Sequence, residues 1–371
     1  MSRNIVICAD GTGNKFCDEN SNVIKLYQCL DLRDPTRQIA YYHGGLGTLG
    51  DPGALSQIQK RWTKAKGLAF GYGLTRAISD IYAFLMETYQ PDDRLFLFGF
   101  SRGAYTVRAL AGMLHLLGLV RPKDYNLIPY ATEMLKTKQS DDTFKVAAEF
   151  KGTFSRECKP YFMGVWDTVS SVGWVFDPLH VPYTRKDPDM AIGRHAVSID
   201  ERRCFFRQNL WAAGPNIKQV WFAGVHSDVG GGYPEKQTGL SKIALEWMLV
   251  EADQQGLLLN GATVAQQLGM AGDDYCAPNP AADMHNSLAG PWLLLEPLPH
   301  MYTDTRTTPP KKKIKLPLGR RRYIDTIPKP TVHESVIRRM ELRKDYNPPN
   351  LPAEREIEPW VRWKPESAAG V

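Results

Sequence analysis

The sequence lacks the marks of several protein classes. No apolar run approaches the length that crosses a bilayer. The first ten residues hold one basic side chain and a short apolar run ending at Asp10, with no small-residue cleavage site, so they read as a first core strand and not as a secretory signal. The expected location is therefore cytoplasmic, with export only through dedicated secretion machinery. Six scattered cysteines (Cys8, Cys17, Cys29, Cys158, Cys204 and Cys276) form no CxxC pair, and no histidines stand at zinc-finger spacing. They read as free thiols of a reducing compartment, and neither a metal nor another cofactor is expected. No internal repeat is present.

An excess of charge of one sign is also missing outside one stretch. The formal net charge is +6, and Lys311, Lys312, Lys313, Lys315, Arg320, Arg321 and Arg322 supply seven positive charges with no acid among them. Without that stretch the chain would be close to neutral. A nucleic-acid-binding fold is excluded on this ground, and what remains is one basic loop. It suits the anionic head groups of a membrane surface, or serves as an ordinary solvated loop.

What the sequence does contain is an alternation of short apolar runs with helical patterns. Strands are predicted over 4–9, 38–43, 94–100, 160–166 and 217–225, each closed by glycine or polar residues. Between them, Leu74, Ala77, Ile78, Ile81, Tyr82 and Leu85 recur at helical spacing, and helices are predicted over 22–30, 102–117, 126–136, 142–150, 196–210 and 241–254. The alternation points to an α/β fold, α/β-hydrolase-like, with a mostly parallel sheet, helices on both faces and loop-rich insertions. The expected organisation is one catalytic domain over 1–352, with insertions at 46–72, 121–159 and 172–210 and a loop-rich C-terminal wrap over 257–352. A flexible tail is expected over 353–371.

The strand ends carry the chemistry. The strand at 94–100 runs into Gly99-Phe100-Ser101-Arg102-Gly103, a GxSxG elbow with a helix behind it, and this context makes Ser101 a candidate nucleophile. Asp167 and His226 each follow a later predicted strand, in the chain order Ser, Asp, His, and are the candidate orienting acid and general base. His333 is the rival base, being late in the chain. Asp228 is the rival acid, although two residues from His226 it fits better as a turn-shaping residue. Gly11, Thr12 and the N–H of Arg102 are the candidate oxyanion donors. Asp10 is read as holding the Gly11-Thr12 loop through backbone N–H groups. The aromatic stretch around Trp174 and Phe176 suits an acyl pocket or a lid.

Five segments together resemble a known family: ADGTGN (9–14), GFSRGAY (99–105), GVWDTV (164–169), GVHSDVGGGY (224–233) and HESV (333–336). They are similar to the DUF2235 family, which includes the catalytic domain of Tle1-like phospholipase effectors of type VI secretion, and the resemblance runs from about residue 3 to about residue 352. It implies an α/β-hydrolase fold and a triad of Ser101, Asp167 and His226 acting on phospholipid or other lipid esters. The compact chain lacks the large additions some effectors carry, so the resemblance supports ester hydrolysis better than a toxin role. The alternatives are a cytosolic esterase or thioesterase for small acyl substrates, and a non-catalytic binding protein on the same fold.

Overall fold

The computed structural model describes residues 2–11, 19–44, 62–137, 140–169, 173–174, 177–178, 183–185, 189–203, 206–289, 300–304, 311–315, 319–326 and 328–364. Eight strands form its main sheet: β1 (Asn4–Ala9), β2 (Gln38–His43), β3 (Arg94–Phe100), β4 (Pro160–Trp166), β5 (Ile192–Ser198), β6 (Ile217–Phe222), β7 (Thr331–His333) and β8 (Glu356–Glu358). Every pairing is parallel, and the spatial order is β8-β7-β6-β5-β4-β3-β1-β2. The helices are α1 (Asn22–Gln28), α2 (Trp62–Thr88), α3 (Arg102–Leu117), α4 (Ile128–Lys136), α5 (Asp141–Phe154), α6 (His226–Gly230), α7 (Gly239–Asp253), α8 (Gly261–Gln267) and α9 (Glu334–Leu342).

The strands read as apolar runs because both sheet faces are covered. Successive residues of β1 go to opposite cores: Ile5, Ile7 and Ala9 pack with α2, α3, α4 and α5, whereas Val6 and Cys8 pack with α1, α7 and α8. A third cluster, around Val197, Trp221, Val332 and Val336, covers the far end of the sheet. Of the α3 side chains only Arg102 and His115 are not buried, which explains its alanine-rich, nearly all-apolar composition.

Register sets the site. Ala9 pairs with both His43 and Gly99, Phe100 with Trp166, and Trp166 with Ala196, so the chain leaves β1, β3 and β4 at one level. The sheet order reverses at β1, whose neighbours β2 and β3 are reached on opposite sides. A crevice opens at such a reversal, outside the carboxyl ends of the strands. Gly103 closes the packing there, since a Cβ on it would lie 2.1 Å from the Ala9 carbonyl oxygen. Its lack of a side chain lets the first turn of α3 rest on the end of β1.

Three segments differ from the sequence expectation. Residues 192–198 form strand β5, where a helix was expected from residue 196. Within the expected insertion 46–72, residues 62–72 already belong to α2, and 45–61 lie outside the described residues. Part of the segment expected as a tail is ordered against the body. β8 pairs with β7, and buried Glu246 of α7 accepts from Trp360 Nε1 (2.9 Å), Arg362 Nε (2.9 Å) and the Trp363 amide (3.1 Å).

Candidate active site

The elbow is strained as its motif requires. Ser101 has φ 58° and ψ −117°, and its hydroxyl does not cap the helix that follows. A non-glycine residue held at positive φ costs on the order of 1–3 kcal/mol and persists only where its surroundings fix it. Here the Ser101 amide donates to the Trp166 carbonyl (3.0 Å), and the Tyr105 amide donates to the Ser101 carbonyl (3.3 Å). Ser101 stands between the end of β3 and the start of α3.

Asp167 and His226 meet although 59 residues separate them. Asp167 follows β4, is fully buried and has φ 39°, with its amide donating to the Ala196 carbonyl (2.7 Å). Its Oδ2 lies 2.5 Å from His226 Nδ1. A carboxylate at that nitrogen places the imidazole proton on Nδ1 and leaves Nε2 as the acceptor, which is the tautomer a general base needs. The His226 ring lies 4.6 Å from the ring of Phe100, the residue before Ser101, and 4.8 Å from Phe206, edge on. The imidazole therefore stands beside the elbow in an aromatic slot.

Electrostatics agree with that geometry. Burial pushes the His226 pKa below its ordinary value and outweighs the opposing pull of Asp167, so the imidazole is held neutral. Burial alone would raise the Asp167 pKa, but Arg322 and His226 outweigh it and hold the carboxyl far below the usual carboxylate range. Asp167 Oδ1 also accepts from the Ser198 amide (2.9 Å).

Two polar partners of this pair, Arg322 and Glu201, and the neighbouring Asp200 were not singled out in the sequence. Arg322 donates from Nη1 to Asp167 Oδ1 (2.5 Å) and from Nη2 to Oδ2 (3.0 Å). Glu201, buried just beyond β5, accepts from the His226 amide (3.1 Å) and from Arg203. The Arg203 guanidinium lies over the Phe206 ring, 3.6 Å from its centre. Asp200 accepts from the Gly224 amide (2.9 Å), Tyr346 Oη (2.8 Å) and Arg321 Nη1 (2.9 Å). Reading 192–198 as a strand would have revealed Asp200 and Glu201, since they stand just past its end as Asp167 stands past β4.

The rival residues have other partners. His333 is buried in the core at the end of β7, stacked on Phe222 (4.7 Å) and edge on to Trp360 (5.8 Å), and its Nδ1 accepts from the Ser335 amide at the start of α9. Asp228 caps α6 through the Val225 amide (3.1 Å) and pairs with His285 Nδ1 (2.6 Å), consistent with turn shaping. Of the expected oxyanion donors, the Gly11 N–H donates to Asp10 Oδ1 (2.6 Å). Asp10 does hold this loop, also accepting from Ser21 Oγ (2.6 Å) and Tyr42 Oη (3.0 Å). Thr12 lies outside the described residues, as does Phe176, while Trp174 belongs to a short strand over 173–174. Arg102 opens α3, so its amide precedes the helix's own hydrogen-bond ladder.

The expected basic membrane patch is also corrected in part. Arg322 is buried on Asp167 and is not available as a solvated docking charge, whereas Arg321 is exposed and pairs with Asp200. Arg320 is exposed, and Lys311–Lys315 forms a strand antiparallel to His300–Asp304. Among the described residues no helix is long and apolar enough to cross a membrane, and no three His, Cys, Asp or Glu side chains come together as metal ligands.

Residues 3–251 match the family described as T6SS phospholipase effector Tle1-like, catalytic domain. An uncharacterized protein of Saccharomyces cerevisiae is 36% identical over 234 residues, which is 59% of this chain and 34% of that protein, so the chain spans about a third of that relative's length. Among solved structures, an uncharacterized protein from Pseudomonas aeruginosa matches at 20% identity and TM-score 0.42, over 70% of this chain and 47% of that one. The Tle1 effector bound to the VgrG spike of the type 6 secretion system matches at 20% identity and TM-score 0.37, over 64% and 52%. With the family match spanning most of the chain and including the elbow, Asp167 and His226, the chain belongs to the Tle1-like phospholipase effector catalytic-domain family.

Proposed function

We propose that this chain is a serine hydrolase that cleaves carboxylic esters of phospholipids or related lipids, with Ser101 as nucleophile, His226 as general base and Asp167 as its orienting acid. The observation that carries this reading is the buried Asp167–His226 pair, 2.5 Å apart, with its imidazole against Phe100 at the strained elbow. His226 Nε2 takes the proton of the Ser101 hydroxyl as Oγ attacks the ester carbonyl. Asp167 stabilises the imidazolium that forms, and His226 then returns the proton to the departing alcohol, leaving Ser101 acylated. Water, deprotonated by the same imidazole, releases the acid and restores the serine.

The anionic intermediate needs donors at the elbow. The amide of Arg102 and the positive end of the 16-residue helix α3 lie on that side, and the Gly11-Thr12 loop is the proposed source of the second donor. The neutrality of His226, maintained by burial, lets it act as a base below the ordinary histidine pKa. The family assignment favours a lipid ester over a small acyl substrate. On this reading Lys311, Lys312, Lys313, Lys315, Arg320 and Arg321 would meet an anionic membrane surface, and delivery to that membrane would use dedicated secretion machinery.

The test is fatty-acid release from phospholipid vesicles and from p-nitrophenyl esters of increasing chain length. The reading predicts release by wild type, a preference for long chains and vesicles, and none by Ser101→Ala. A preference for short soluble esters would replace the lipid substrate with a small acyl one. Inactivity toward all esters would refute the enzymatic reading.

A further inference from the structure

Ser-His-Asp chemistry needs a carboxylate behind the histidine but no cation behind the carboxylate, yet one is present. We propose that Arg322 is a positioning residue of the active site, contributed by the C-terminal segment beyond the family-matched residues 3–251, which fixes the Asp167 carboxylate and through it His226. The proposal rests on the serine-hydrolase reading given above.

The contact is a fork on a fork: Nη1 and Nη2 each meet one Asp167 oxygen, at 2.5 and 3.0 Å. Such bidentate pairing fixes the plane of the carboxylate as well as its charge, which a lysine does not do. The same guanidinium donates to Ser198 Oγ (2.7 Å) at the end of β5 and to the Phe206 carbonyl (2.5 Å). Since the Phe206 ring bounds the His226 slot, one side chain holds both the acid and a wall of the base's pocket.

The backbone around Arg322 is fastened. Asn350 Nδ2 donates to the carbonyls of Arg322 (3.1 Å) and Ile199 (3.0 Å), and neighbouring Arg321 is tied to Asp200. Arg322 retains 7% of its surface, against the exposed Arg320 two residues earlier. Burying a guanidinium is costly unless a well-placed anion compensates it, and loop anchoring alone does not call for one.

The arrangement has a distinct consequence for proton transfer. His226 faces Asp167 after β4, Glu201 and Arg203 after β5, and the rings of Phe100 and Phe206. Asp167 faces His226 from α6, Arg322 from the C-terminal segment and His195 from β5. Arg203 is paired with Glu201, so Arg322 is the cation that offsets Asp167. Without it, the uncompensated carboxylate would favour the imidazolium, and His226 would lose its basic form at a higher pH. Lysine would keep the charge but not the fork.

The experiment measures labelling of the full chain by a fluorophosphonate probe across pH, for wild type, Ser101→Ala, Arg322→Met and Arg322→Lys, with thermal melts to verify folding. Wild type should label and Ser101→Ala should not. Both Arg322 variants should label about 10- to 100-fold more slowly at the plateau, at or below the lower end of the roughly 10²–10⁴-fold that a positioned base contributes. The acid limb should move to higher pH in Arg322→Met and stay in place in Arg322→Lys, a split that a merely structural role would not produce. If Arg322→Met does not fold, the slower plateau and unshifted limb of Arg322→Lys carry the test. Wild type that fails to label would overturn the serine-hydrolase reading and this proposal with it. Wild type that labels, with folded variants matching its rate and limb, would overturn the role of Arg322 alone.

Discussion

Replacing Asp167 by Asn separates the two jobs its carboxylate performs. In the native structure both oxygens accept, from His226 Nδ1, the Ser198 amide and both Nη atoms of Arg322. An asparagine has one accepting oxygen, so its amino group would face either His226 Nδ1–H or the guanidinium, donor against donor. It would also leave Arg322 buried beside a neutral group. Breaking one side of a buried ion pair costs about 3–5 kcal/mol, a large fraction of a typical domain's total stability of about 5–15 kcal/mol. Turnover should fall roughly 10⁴-fold, about 5.4 kcal/mol of barrier, because the imidazole loses its tautomer and its orientation. Urea unfolding followed by tryptophan fluorescence and hydrolysis of a p-nitrophenyl ester read the two effects separately. The double variant Asp167→Asn with Arg322→Met removes the stranded charge, so it should regain most of the stability and none of the turnover. An unchanged urea midpoint in Asp167→Asn, or recovery of turnover along with stability in the double variant, would refute this reasoning.

Two further predictions concern the frame. His195 and His333 are buried, and burial pushes both pKa values down to about 3. The unfolded chain takes up protons below about 6.5 while the folded chain does not, so each histidine's contribution is complete above that value and is lost as the pH falls toward 3. Between pH 6.5 and 5 each should remove about 1.5 kcal/mol, read as a falling urea midpoint whose slope is shallower in His333→Phe; a midpoint constant over that range would contradict it. Gly103→Ala would place a Cβ 2.1 Å from the Ala9 carbonyl oxygen. It should cost about 1–3 kcal/mol or more and abolish ester hydrolysis by displacing the elbow, whereas wild-type turnover in this variant would show that the contact does not position Ser101.

Much of the site was legible because each of its parts follows a recognisable strand. Ser101 and Asp167 follow strongly apolar runs, β3 and β4, and His226 opens α6 shortly after β6. Asp10 was read as a loop holder from the same logic, and its bonds to Gly11, Ser21 and Tyr42 agree. The illegible strands were those whose apolar pattern is broken or short. β5 contains Arg194, paired with Glu251, and buried His195, which accepts from the Thr168 amide (3.2 Å), so polar residues with partners on other elements interrupt its apolar pattern. β7 and β8 have three residues each, too few to show a period. Arg322 was hidden differently. It sits in a basic run that by composition alone reads as solvated surface, and its partner Asp167 lies 155 residues away. The Gly11 amide donates a hydrogen bond to the acid next to it, a one-residue contact that the motif does not disclose.

The central claim is that Ser101 is activated by His226 and not by His333. The most direct measurement is the rate at which a fluorophosphonate labels wild type, Ser101→Ala, His226→Ala and His333→Ala at neutral pH. Wild type and folded His333→Ala should label rapidly and Ser101→Ala not at all, with the rate lowered by about 10²–10⁴-fold in His226→Ala. Labelling of His226→Ala at the wild-type rate, with loss in His333→Ala, would contradict it.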